Sequence, residues 1–291
     1  MHYENPRSRS SARGIAERIC NEGGDVLILG GDTFAIDLNI FRDCLRLFQA
    51  FPGKKFLVIG NHCLWVSEGG DSFRRYTEEI PKVAEEEGWH VLDHRPAVIE
   101  GVGFVGSVGW YDYLFKDPSL NVPERFYTAK VGPGMARFLE RYYDLVANRN
   151  DLLPEHFNIT SRWMDGVYIR WDFTDEEFAS FTAEKLREHI EAIRSDVRTI
   201  LAVTHHVPFS KMVYRKQGDS SWNFANAFQG SPKLGEVLKA EPKVKFVVCG
   251  HVHKPQELQL DGRFLWNVGS GIRRKRLLVI DPDEPGGRLF L

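Results

Sequence analysis

Apolar runs of strand length alternate along the chain with stretches that place apolar residues at helical spacing. Asp25 to Leu29, Lys55 to Ile59, Thr199 to Val203 and Lys245 to Cys249 are nearly unbroken apolar runs, as expected of strands buried on both faces. Ala12, Ile15, Ala16 and Ile19 mark a helix over Ser11 to Cys20 that Gly23-Gly24 stops, and Phe41, Cys44, Leu45 and Phe48 mark a second that Pro52-Gly53 closes. The β-α-β order predicts a parallel pair with a right-handed crossover, hence an α/β fold. A helix over Ser72 to Gly88, kinked at Pro81, leads to short strands near His90–Leu92, Ala97–Glu100 and Phe104–Val108, with a hairpin turn at Gly101-Val102-Gly103. Thr174 and Glu177 form a capping box opening a helix to about Asp196, and another helix spans Pro232–Ala240. Hairpin strands around Glu257–Leu260 and Arg263–Trp266, a strand over Arg276–Ile280 and a loosely held tail from Pro282 to Leu291 complete the pattern.

From Trp110 to about Trp171 the pattern changes. Aromatic and charged residues mix with four prolines, and only Ala136 to Ala147 has helical character. This stretch lacks the apolar mass for its own core, so residues 1–291 are expected to form one domain carrying an insertion over about 110–172. Within it, Trp110 and Tyr111 follow a strand directly and either line a pocket or pack the insertion down.

A formal charge of −2 argues against a dedicated nucleic-acid surface, which needs a basic excess to neutralise phosphates. Four cysteines without C-x-x-C spacing read as reduced thiols, and neither a leader-like apolar segment nor a membrane-length run is present, so the expected location is cytoplasmic.

Chemistry gathers where the strands end. The four apolar runs lead into Gly31-Asp32, Gly60-Asn61-His62, His205-His206 and Gly250-His251-Val252-His253. In open α/β sheets ligands bind beyond the carboxyl ends of the strands. A carboxylate, a carboxamide and several imidazoles converging there suit Mn, Fe, Zn, Co or Ni rather than calcium, which prefers oxygen cages. Asp32 is the only acid in the set and the natural bridge between two cations. Two such ions about 3.5–4 Å apart would acidify a shared water and clamp an in-line displacement at phosphorus. Either His205 or His206 could face the metal; His205, first past the strand, is preferred, leaving His206 as a supporting or phosphate contact.

In this order, the motifs closely resemble those of the calcineurin-like metallophosphoesterases, over roughly residues 24 to 270. The resemblance implies a four-layer α/β/β/α sandwich and two divalent transition-metal ions at the strand ends. It implies that Asp32 bridges the metals, that Asn61, His205 and His251 complete one site and that His253 serves the other. His62 would be the general acid toward the leaving oxygen of a phosphomonoester or phosphodiester attacked by a metal-bridging hydroxide. The expected partner is a small phosphate ester, with no membrane.

Two departures qualify the resemblance. The family begins with an apolar strand ending in Asp-X-His, which this sequence does not show; the expectation is that this strand lies upstream of residue 1. His2 and Glu4 have the right spacing to substitute, but an unanchored terminus is a poor place to fix a ligand. Without that motif, the alternative is a weak or inactive scaffold of the same fold. Cys63 stands where the family usually has an acid, either as a small packed hydrophobe or as an oxidation-sensitive thiolate.

Overall fold

The computed structural model describes residues 1–147, 149–284 and 286–290. Among the described residues eleven strands run in chain order: β1 Val26–Gly30, β2 Lys54–Val58, β3 His90–Val91, β4 Ala97–Ile99, β5 Val102–Ser107, β6 Thr199–Thr204, β7 Val244–Cys249, β8 Gln256–Leu260, β9 Arg263–Asn267, β10 Leu277–Ile280 and β11 Gly287–Phe290. They form a parallel sheet β1-β2-β3, a mixed sheet β4-β5-β6-β7-β9-β8 and the hairpin β10-β11.

The period-2 alternation of strand side chains divides the apolar residues into three layers. Val26, Ile28, Phe56 and Val58 of the first sheet meet Phe104, Leu201, Val203 and Phe246 of the second, so the sheets pack face to face. The intervening residues Leu27, Leu29 and Leu57 turn outward, toward the helices Pro6–Glu22, Leu38–Arg46 and Ile80–Glu86. Ile200, Ala202 and Val247 turn the other way, toward Asp175–Ile193 and Pro232–Ala240. The result is the expected four-layer sandwich. Asp93, buried at the junction, accepts the backbone N–H of Ile59 (2.8 Å) and that of Val108, and so ties the end of β2 to the end of β5. Beside β1, the edge of its sheet, lies a cavity of about 610 Å³ reaching from Arg198 to the strand ends.

The helix expected over Ser72 to Gly88 is two α segments, Ser72–Arg74 and Ile80–Glu86, joined by a π turn over Arg75–Glu79. Pro81 supplies no N–H to the preceding turn, and the π turn absorbs that loss. The helix expected over Ala136 to Ala147 is absent: Pro133–Ala136 is a single α turn and Glu140–Leu145 a 3₁₀ segment, with Leu139 extended between them. Periodicity failed there because the aromatics pack in both directions, Tyr142 inward and Phe138 and Tyr143 outward. The tail is not loose over its described residues: β11 pairs antiparallel with β10, Leu277 opposite Phe290.

The insertion shares the main core. Trp110, Tyr111, Phe126 and Tyr127 lie in one apolar cluster with the helices on β1 and β2. Asp175, at the start of its helix, accepts Trp110 Nε1–H (2.7 Å), Tyr113 O–H and Lys130 Nζ–H, fastening the start and the middle of the segment to the body. Among the described residues no helix is long and apolar enough to cross a membrane.

Candidate metal centre

Asp32 follows β1, Asn61 and His62 follow β2, His205 follows β6, and His251 and His253 follow β7, so all six sit beyond carboxyl strand ends. The local backbone is strained where it turns into the site: Asp32 has φ 47° and His251 φ 64°. Such conformations cost about 1–3 kcal/mol per residue and persist only when surroundings enforce them. Gly31, at φ 97°, has no Cβ to collide with the His205 ring, and a Cβ on Gly60 would strike the backbone nitrogen and carboxylate of Asp32. Asn267 holds the histidine loop, donating to Gly250 O (2.8 Å) and accepting from Gly269 N–H (2.9 Å).

Hydrogen bonds at the far nitrogens set the tautomers. His205 Nδ1–H donates to Gly30 O (3.0 Å), leaving the Nε2 lone pair directed inward. His251 Nε2–H donates to Phe228 O (3.1 Å), leaving Nδ1 inward. Asn61 Nδ2–H donates to Asp165 Oδ1 (2.9 Å), leaving Oδ1 inward. These lone pairs and Asp32 Oδ1 converge: Nε2 of His205 is 3.3 Å from Asp32 Oδ1, 3.2 Å from Asn61 Oδ1 and 3.2 Å from His251 Nδ1, which is 3.1 Å from Asn61 Oδ1. Acceptors facing one another repel unless a cation lies among them. Donors bonded to a first-row metal at about 2.0–2.2 Å sit roughly 3–3.5 Å apart, which is the spacing here.

The other face of Asp32 meets a second set. Oδ2 is 3.6 Å from His2 Nε2, which lies 3.2 Å from His253 Nε2, while Glu4 Oε1 accepts from His2 Nδ1–H at 3.3 Å. This corrects the reading of the N-terminal residues as unanchored. The Met1 ammonium and the His2 N–H both donate to Asp32 O (2.6 Å each), Tyr3 N–H donates to Thr33 O (3.0 Å), and Ser8 Oγ–H donates to Met1 O (2.6 Å). His2 is buried among the site residues, and Glu4 orients its ring. Distance from any strand hid this role; the His-X-Glu spacing was the only signal.

Electrostatics follow from the crowding. Burial alone would raise Asp32, but the nearby His205 and His62 rings hold its carboxyl well below the usual range. Burial alone would depress His205, but Asp32 raises it. His251 is pushed far down by burial and by the neighbouring His206 and His205. Loss of hydration and the nearby His2 push His253 down to about 4, although part of that side chain faces solvent. Imidazoles that resist protonation keep their lone pairs for a cation.

His62 stacks on Trp65 (centroids 3.8 Å apart), packs edge-on against His2 (4.8 Å), and its backbone N–H donates to Asp32 Oδ1 (3.1 Å). Trp110, Tyr111 and His206, the candidate substrate contacts, are fully buried and present no surface to a substrate. Trp110 packs against Trp171 and Phe178, so the aromatic pair pins the insertion down. His206 turns its Nδ1–H to Val108 O (2.8 Å) and lies behind His251 (ring centroids 4.3 Å apart). Cys63 is buried beside Thr33, and burial together with the Asp32 charge raises its thiol pKa, so it is a packed, protonated side chain. Sequence reasoning passed over Asp165, for nothing in that irregular stretch distinguishes it from other acids.

The family model of the calcineurin-like phosphoesterases matches residues 2–255. No curated protein matches the sequence significantly. Among solved structures the chain is similar to the phosphopantetheinyl hydrolase of Mycobacterium tuberculosis, with 18% identity, a TM-score of 0.64, and 90% of this chain and 84% of that one covered. It is also similar to the protein TT1561 of Thermus thermophilus, with 12% identity, a TM-score of 0.53, and 98% and 93% covered. At such identities these two share the fold alone. With the family model spanning the strand-end motifs, the chain belongs to the calcineurin-like phosphoesterase family.

Proposed function

We propose that this chain is a metal-dependent phosphoesterase that hydrolyses a phosphomonoester or phosphodiester. The observation that carries the reading is the pair of donor sets on the two oxygens of Asp32. One is Asn61 with His205 and His251; the other is His2 with His253. Divalent cations such as Mn, Fe, Zn, Co or Ni in these sets would acidify a water and polarise the phosphoryl oxygens. The protein's own part is to hold and orient. Asp32 bridges the two sets, and the strained turns at Asp32 and His251 fix their carboxylate and imidazole before substrate arrives. His62, held flat on Trp65, delivers a proton from its ring to the leaving oxygen as the phosphorus–oxygen bond breaks.

His2 bears on the rival reading of an inactive scaffold. That reading drew on a donor set reduced to Asp32 and His253, and the position of His2 supplies the set with another imidazole. The test is turnover of para-nitrophenyl phosphate and bis(para-nitrophenyl) phosphate by Mn²⁺-loaded protein, with reversal by a chelator. His62→Ala is expected to lower kcat by about 10²–10⁴-fold for an alkyl ester, whose leaving oxygen needs the proton, and far less for a nitrophenyl ester. Metal-loaded protein inert toward both esters would sink the proposal.

A further inference from the structure

We infer that Asp165, a buried carboxylate supplied by the insertion, is a positioning residue that sets which end of the Asn61 amide faces the metal centre. The inference rests on the reading of Asn61 as a ligand. Asp165 lies in the short helix Asp165–Tyr168 and is buried, without a cationic partner among the described residues. Its Oδ1 accepts Asn61 Nδ2–H (2.9 Å) and Trp65 Nε1–H (2.6 Å); its Oδ2 accepts Tyr111 O–H (3.1 Å) and Trp163 Nε1–H (2.7 Å). The indoles can only donate, so each oxygen is fixed as an acceptor.

An asparagine amide has two orientations that occupy nearly the same volume, and its surroundings decide between them. With Nδ2 toward Asp165, Oδ1 presents its lone pairs to His205 Nε2 and His251 Nδ1, as observed. The flipped amide would set Oδ1 against a carboxylate and turn an N–H₂ into the donor set, where a cation would find hydrogens instead of a ligand. Asp165 thus makes the ligating orientation the favoured one in advance. Trp65, which shares Oδ1 with Asn61, is also the platform under His62, so the same carboxylate steadies both residues of the Gly60-Asn61-His62 turn that face the site.

The test is a double-mutant cycle read by Co²⁺ affinity from visible absorption, with circular dichroism reporting the fold. Asp165→Ala is expected to weaken Co²⁺ binding about 10–100-fold, as loss of a partner behind a metal ligand typically does. If Asp165 acts through Asn61, most of that loss disappears once Asn61 is already alanine. Tyr111→Phe, which removes a donor to the opposite oxygen, is expected to leave Co²⁺ affinity within about twofold. The inference stands if the factor lost on changing Asp165 shrinks by about threefold or more in the Asn61→Ala background, and falls if it does not. Should Asp165→Ala not fold, the isosteric Asp165→Asn is read through the same cycle. Parent protein that takes up no Co²⁺ overturns the metal-centre reading together with this one; parent protein that binds Co²⁺ with an uncoupled Asp165 overturns this one alone.

Discussion

Two glycines show how differently one missing methyl can matter. A Cβ on Gly14, exposed on the helix Pro6–Glu22, would meet nothing within 4 Å, so Gly14→Ala should raise stability by about 0.5–1 kcal/mol in urea unfolding. A Cβ on Gly60 would run into the backbone of Asp32, which cannot yield as a side-chain tip could. Gly60→Ala is therefore expected to remove most of the bound transition metal, measured by elemental analysis, while circular dichroism shows the fold retained. Equal metal content in the two variants would refute the close-approach account. Protonation is the other residue-level lever. His94 accepts from Lys185 Nζ–H (3.1 Å) and donates to Tyr76 O (2.9 Å), and burial plus that lysine push it down to about 4; His189 is likewise pushed to about 4 by burial and Lys185. Their folded pKa values lie below the ordinary 6.5, so the unfolded chain binds more protons between about pH 6.5 and 4, and the histidines cost stability as pH falls through that window. Asp93, raised to about 7 by burial, acts in the opposite sense: its contribution is full below its ordinary value near 4 and is lost as pH rises to about 7. Two histidines outweigh one aspartate. The urea midpoint should be lower at about pH 4.5 than at about pH 6.5, and His94→Gln with His189→Gln should narrow that difference.

At the scale of elements, Asp175 joins the insertion to the sandwich. It is the first residue of the helix that Thr174 and Glu177 cap with reciprocal bonds of 3.2 and 2.8 Å. From there its carboxylate holds Trp110, Tyr113 and the half-buried Lys130. Asp175→Asn leaves Lys130 without its counter-charge, and breaking a buried pair of this kind typically costs about 3–5 kcal/mol. We expect a lower denaturant midpoint and early proteolytic cleavage within residues 110–172, whereas Thr174→Ala should cost only about 1 kcal/mol. An Asp175→Asn variant as stable as the parent would contradict this account. The capping box was legible before the structure because it is a local pattern. The fracture of the stretch around Leu139 was not, since its aromatics answer to partners far away in sequence. For the same reason Asp165 could not be picked out: its meaning comes from Asn61, Trp65, Tyr111 and Trp163, which the fold alone brings together.

For the whole molecule, the strand-end residues were readable because a buried parallel strand is an unbroken apolar run and its end is a fixed address for polar chemistry. Asp32, Asn61, His205 and His251 were singled out that way, and the fold brings the four together, with His205 the neighbour that faces the cluster. His2 was undervalued because the bonds that anchor it, to Asp32 and Thr33, are backbone contacts without a sequence signature. Occupation of these sets should stabilise the fold: Co²⁺ or Mn²⁺ at about 100 times its dissociation constant should add about 2.7 kcal/mol at a single site, raising Tm reversibly on addition and lowering it on chelation. An unmoved Tm in metal that is demonstrably bound would show that the unfolded chain binds it as well. The donors come from both layers of the sandwich, Asp32 and Asn61 from the sheet of β1 and β2, His205 and His251 from the sheet of β6 and β7. An ion seated among them would be a rivet through two plates, and any sliding of one sheet over the other would pull that donor set apart. Asp93, pinning the ends of β2 and β5, is a second fastener at that same seam, one made by the chain itself.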